Sequence, residues 1–260
     1  MKNFLILLLC LVAATSNIAF GQSNDKDLDS KYQKTVIHLL EALKAGEETI
    51  EFQKTLESST QKELEAELDT DPERFAFWVN LYNAYIQIRL KADPSEYDDR
   101  PNFFSSENIH IAGRDMSFED IEHGIIRGSQ SKFLLGYFKN PFVKSFKKKF
   151  RPTERDYRVH FALNCGAKSC PPVAIYTADK IDEQFDKSAK LFLEKFSEYN
   201  KEDNILNTST LLLWFVGDFG GVSGSKEVLV KYGIVPSTDV DLEYDKYDWT
   251  LALDNYIELD

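Results

Sequence analysis

The chain has 260 residues, a formal net charge of −12, and 43% hydrophobic and 13% aromatic residues. This composition excludes a disordered chain. The acidic balance argues against general nucleic-acid binding and against adhesion to an anionic membrane surface.

Residues 1–21 read as an export signal. Lys2 supplies a positive start, residues 4–14 form an apolar run too short to span a bilayer, and Ala19-Phe20-Gly21 puts small residues where a signal peptidase reads. Cleavage is expected before Gln22, which leaves 30 basic and 43 acidic residues for a net −13. A lipid anchor through Cys10 is the less favoured alternative, because Leu9 before it is not small. The protein is therefore expected in the periplasm or outside the cell. No second apolar stretch is long enough for a membrane helix.

Residues 22–70 read as an N-terminal helical segment and residues 71–260 as the main domain. Val36, Leu39, Leu40 and Leu43 recur at helical spacing within 31–68, with Gly46 as a stop. Asp71 is placed as the cap of a helix running to Ala92, with Pro72 at its first position. A short strand is expected at 108–112, then a helix capped by Ser117 with Asp120 three residues on. After Pro141, the basic run Lys147-Lys148-Lys149 reads as the solvated face of a short helix. Phe142, Val143, Phe146 and Phe150 would face the core. Residues 158–164 alternate and are the best strand candidate. Residues 178–196 and 208–219 read as helices, the second broken by Gly220-Gly221, and 242–253 as extended. Without regular βαβ alternation the class is α+β: a single mixed helix and sheet domain with an N-terminal helical segment.

Three segments resemble signatures of the domain-of-unknown-function 547 family. They are FWVNLYNAY at 77–85, IEHGIIR at 121–127 and HFALNCGAKSCPP at 160–172, with weaker echoes in WFVGDF at 214–219 and YDWTL at 247–251. The resemblance covers residue 71 to the C-terminus. It implies no activity, since the family is named for lacking one; its plant members carry the domain beside a leucine zipper. In the plant pattern the position of Cys165 stays Cys, while that of Cys170 can be Ser.

The residues of these segments bear their own reading. On a helical wheel Asn80, Asn83 and Gln87 form a polar stripe between two apolar arcs, so they are expected to be buried and bonded to loop backbone. Glu122 falls on an apolar arc, where a carboxylate needs a partner such as Arg, and His123 sits on its shoulder with Arg127 one turn on. Strand alternation would put His160 and Asn164 on one face and release Cys165 at the apolar side. Cys165 and Cys170 in a C-x4-C arrangement could form a disulfide in an exported chain. The C-x-x-C spacing of zinc sites is absent, and His110, His123 and His160 are scattered, so no metal is expected. No phosphate loop is present, because residues 220–224 lack the Lys, and no cofactor is expected.

Two functions stay open. One is a binding or structural module for an envelope or extracellular peptide, glycan or protein, using aromatics near Tyr244, Tyr247 and Trp249. The other is a thiol hydrolase or acyl transferase on an envelope amide. Cys165 would be its nucleophile, His123 or His160 its base, and Asn83 or Asn80 its orienting amide; Glu122 and Asn164 are further contact candidates. The first is preferred, because only residue type speaks for chemistry. Cys165 is expected to be reduced in the working protein and to react with iodoacetamide faster than Cys170.

Overall fold

The computed structural model describes residues 30–259; the expected export signal lies outside the described residues. The N-terminal segment folds as α1 (Lys31–Ala45), α2 (Ile50–Glu57) and α3 (Gln61–Glu67). Val36, Leu39, Leu40 and Leu43 are buried along α1, and Gly46 ends it in the left-handed conformation at φ 71°.

α4 (Asp71–Ala92) is the centre of the fold. Its cap is Thr70 and not Asp71. Thr70 accepts the Glu73 N–H, and the Glu73 carboxylate accepts the Thr70 N–H in return, so two helix-end donors are satisfied at once. Asp71 is freed by one position, and its carboxylate accepts the N–H groups of Thr153 and Glu154. Residues 75–87 are buried without interruption, which makes α4 a core helix covered on every side. Phe75 meets Phe185 edge-on at 5.6 Å and Trp78 meets Phe150 at 5.7 Å.

A 3-10 turn (Pro94–Asp99) and α5 (Arg100–Ser105) lead to the antiparallel hairpin of β1 (Ile109–Ile111) and β2 (Arg114–Met116). Ser117 caps the next element, its Oγ accepting the Asp120 N–H at 3.1 Å. That element, Asp120–Ile126, is a π-helix: the Arg127 N–H reaches back five residues to the Glu122 carbonyl at 2.8 Å. α6 (Ser145–Phe150) buries Phe146 and Phe150, and Val143 before it is buried too. Phe142 is instead 89% exposed, because the helix starts too late to carry it on its apolar stripe.

No strand forms at 158–164. Tyr157–Phe161 is a 3-10 turn begun by Asp156, whose carboxylate accepts the Arg158 N–H. The backbone partner beyond this turn is a side chain. Asn83 donates Nδ2–H to the Ala162 carbonyl at 2.9 Å and accepts the Asn164 N–H on Oδ1 at 2.8 Å. His160 and Asn164 therefore do not share a sheet face.

α7 (Ile181–Lys195) buries Ile181, Phe185, Ala189 and Phe192. β3 (Ser197–Asn200) and β4 (Ile205–Thr208) pair antiparallel, and β5 (Asp241–Tyr244) adds parallel to β4. The helix expected over 208–219 shortens to α8 (Leu211–Trp214) followed by turns. Gly220 and Gly221, both at φ 85°, break the chain there as expected and lead into α9 (Gly221–Lys231), a helix not assigned from the sequence. The chain is α+β, with helices dominant and two small sheets among the described residues.

Candidate active-site cavity

A cavity of about 210 Å³ opens beside α4, with the π-helix, the 163–171 segment, α8 and residues 247–249 around it. The wider winding of the π-helix lets consecutive residues Glu122 and His123 both line the cavity, with Arg127 behind them.

Arg127 organises the polar end. It can only donate, so its Nη1–H goes to His123 Nδ1 at 2.9 Å, and neutral His123 carries its proton on Nε2. Burial, aided by the Arg127 cation, pushes His123 down to about 3. Arg127 Nε–H also donates to Asp218 Oδ2 at 2.7 Å, a pair whose side chains are 1% and 7% exposed. The same oxygen lies 2.8 Å from His160 Nε2. Burial alone would raise the Asp218 carboxyl; the bonds from His160 and Arg127 outweigh it and hold the group below its usual value. An ionised Asp218 accepts from His160 Nε2–H, so neutral His160 has its lone pair on Nδ1. Burial lowers His160 as well, against the pull of Asp218. The His160 ring stacks on Phe215 at 4.0 Å, which fixes its plane.

Asp218 reaches this position because Gly217 lets two backbones touch. A Cβ at Gly217 would lie 2.6 Å from the Gly136 carbonyl carbon, and the Gly217 N–H donates to the Leu135 carbonyl at 2.8 Å.

Among the described residues Glu122 has no Arg bond of its own. Tyr82 donates its hydroxyl to Oε2 at 3.2 Å, and Oε1 sits 3.4 Å from His123 Nδ1. That nitrogen already accepts from Arg127 and carries no proton, so it offers an ionised Oε1 no hydrogen bond. Burial raises the Glu122 carboxyl in the same direction, against the attraction of Arg127. The opposite wall is aromatic. Trp214 and Trp249 stack at 5.7 Å, and Tyr247 lies 4.9 and 4.6 Å from them.

Of the residues singled out in the sequence, Glu122, His123, His160 and Cys165 line this cavity together. The amides do not. Asn80 holds the Tyr176 backbone through both its amide ends, at 2.7 and 3.0 Å, as Asn83 holds residues 162 and 164. Asn164 accepts the Gly166 N–H and donates to the Pro171 carbonyl. Cys165 is joined to Cys170 by a disulfide, which corrects the expectation of a reduced Cys165. Its sulfur lies 3.3 Å from the Tyr247 hydroxyl, and no His ring bonds it among the described residues. Asp218, Tyr82 and Trp214 are the members that sequence reasoning missed. For Asp218 the signal was there: one acid between Gly217 and Phe219 in the apolar run 211–219.

Residues 66–193 match the family model described as Protein of unknown function, DUF547. No curated protein and no solved structure matches the chain. The matched span holds Tyr82, Glu122, His123, Arg127, His160 and the cysteine pair, all three segments that carried the resemblance. Residues 66–193 of the chain form a domain of the DUF547 family.

Proposed function

We propose that the domain is a recognition module whose cavity takes a sugar ring of a glycan in the cell envelope or outside the cell. The observation that carries this is the aromatic wall of Trp214, Tyr247 and Trp249 lining the same cavity as Glu122, His123 and His160. A pyranose offers an apolar C–H face to aromatic rings and hydroxyls to polar groups at its edge. His123 Nε2–H is a donor, His160 Nδ1 an acceptor, and the Glu122 carboxyl serves as either. The placement in the envelope rests on residues 1–21 and on the disulfide, which suits an oxidising compartment.

The test is tryptophan fluorescence during titration with neutral and N-acetylated oligosaccharides. Trp78 is fully buried elsewhere, so the change should come from Trp214 and Trp249 and should vanish in Trp249→Ala. If no saccharide perturbs the emission, while short peptides do, the glycan reading is wrong.

The His160–Asp218 pair favours a second reading, acid–base catalysis without a thiol. A His oriented by a carboxylate, with its other nitrogen free, is the arrangement of a general base, and a protonated Glu122 is a general acid. A glycosidase with two catalytic carboxylates is not the model for it, because Asp218 is held by Arg127 and His160, and Glu119, the other carboxylate at the cavity, is paired with Lys132. Glu122→Gln separates the readings: catalysis predicts that binding survives and turnover of the bound ligand stops.

A further inference from the structure

Residues 123–153 contain no Asp or Glu, although the chain has 43 acidic residues. The same stretch carries six large apolar side chains that face solvent. Phe133, Leu134, Leu135, Tyr137, Phe138 and Phe142 are 45% to 89% exposed and make up most of the exposed large apolar side chains among the described residues. Large apolar side chains concentrated in one exposed segment mark an interaction site.

The segment is a built projection. Residues 130 and 139 bridge antiparallel, the Ser131 N–H donates to the Phe138 carbonyl, and the Asn140 N–H to the Ser129 carbonyl. The Gln130 side chain holds the Gly136 carbonyl from inside, and the Leu135 carbonyl is anchored by Gly217. Leu134 and Leu135 are both in the left-handed region, at φ 65° and 54°, a conformation that leucine adopts at an energetic penalty. The fold thus holds the apolar tips outward against local backbone preference.

Lysines accompany the tips, and Lys132, Lys144 and Lys147 line one surface recess with Phe133 and Phe142. Lys132 and Lys147 are paired with Glu119 and Asp120, while Lys139, Lys144 and Lys148 are exposed and form no ion pair among the described residues.

We infer that this projection docks the domain on an anionic lipid bilayer, with Phe133, Leu134, Phe138 and Phe142 entering the interface and the lysines at headgroup level. Aromatic and leucine tips framed by lysines match both the apolar boundary of a bilayer and its negative surface. A projection of separate, highly exposed tips needs no complementary groove, which a protein partner would have to supply. The net charge of the whole chain argued against such adhesion. Residues 123–153 add no acid of their own, and the Glu119 and Asp120 carboxylates beside them are paired with Lys132 and Lys147; this removes that objection locally, because screening limits repulsion from more distant carboxylates to about 8–10 Å.

The experiment is co-sedimentation of the chain with phosphatidylcholine vesicles, with and without about one third phosphatidylglycerol. Binding is expected on the anionic vesicles and should weaken as salt rises. It should fall about fivefold for each of Lys139, Lys144 and Lys148 replaced by Gln. The triple variant Phe133→Ser, Leu134→Ser, Phe138→Ser should lose it while melting like wild type, since all three residues are exposed. Equal binding to neutral and anionic vesicles, wild-type binding by the serine variant, or binding to soluble polyglutamate but not to vesicles would overturn the inference.

Discussion

His160 Nε2 and Asp218 Oδ2 lie 2.8 Å apart, although 58 residues separate them in the chain. One side chain closes a 3-10 turn and the other follows α8, and Arg127 ties both to the π-helix. This buried cluster joins three segments through charge, so its members are coupled.

Asp218→Asn tests that coupling. The substitution keeps the shape but leaves the Arg127 guanidinium buried without its carboxylate. Removing one partner of a buried pair typically destabilises by about 3–5 kcal/mol, and the low end is expected here because the amide oxygen still accepts one bond. The half-exposed Arg155, 3.3 Å from Asp218, adds little. A denaturant midpoint corresponding to a loss under about 0.5 kcal/mol would show that Arg127 does not depend on Asp218.

The pH dependence of stability has two opposed parts. His123 titrates near 3 in the fold and near 6.5 unfolded. Its contribution is present above 6.5 and is lost as pH falls from there toward 3, at up to about 1.4 kcal/mol per pH unit. Glu122 is raised, so its contribution is present below its ordinary value of 4.5 and is lost as pH rises through its folded value. Thermal melts of His123→Asn should therefore be flatter than wild type between pH 6.5 and 3, keeping only the slope due to the other groups. Glu122→Gln should melt above wild type at neutral pH, with the gain closing toward pH 4. A constant offset across the range would mean that Glu122 titrates alike in the folded and unfolded chain.

Asn83 joins α4 to the chain at 162 and 164 with both ends of its amide while fully buried. Asn83→Ala leaves a buried carbonyl and a buried N–H without partners, and a loss of about 1–3 kcal/mol is expected in denaturant melts. A loss within about 0.5 kcal/mol, the level of an ordinary surface change, would show that neither group needs the amide.

The amide stripe was readable because helical spacing placed Asn80, Asn83 and Gln87 between two apolar arcs, and burial of both arcs follows from composition. The same clamp explains the failure at 158–164. Alternation marks backbone that wants lateral hydrogen bonds, and it does not say whether a strand or an asparagine supplies them. Glu122, His123 and His160 were legible as candidates, since polar residues on apolar positions need a reason. Their assembly was not, because it depends on Asp218, which arrives through the Gly217 crossing with residues 136–137. No pattern within either segment encodes that long-range contact. The π winding was hidden for a similar reason: its sequence satisfies an ordinary Ser-capped helix, and only the reach of the backbone hydrogen bonds, five residues in place of four, distinguishes the two.

The Cys165–Cys170 bond separates a structural role from a reactive one. The pair sits at the cavity edge, with the Tyr247 hydroxyl 3.3 and 3.1 Å from the two sulfurs, so the bridge fixes the aromatic wall against the 163–171 segment. Alkylation of the native protein without reductant should leave both cysteines unmodified. Closing a loop of sequence separation 5 constrains the unfolded chain, and the double variant Cys165→Ser, Cys170→Ser should lose about 2 kcal/mol of stability. A recognition or acid–base role predicts that this variant, where folded, still binds the ligand of the wild type, because no thiolate takes part. If the oxidised protein is inert and reductant switches on a turnover that Cys165→Ser abolishes, while Cys170→Ser retains it, the thiol reading returns and the bridge is its redox lock.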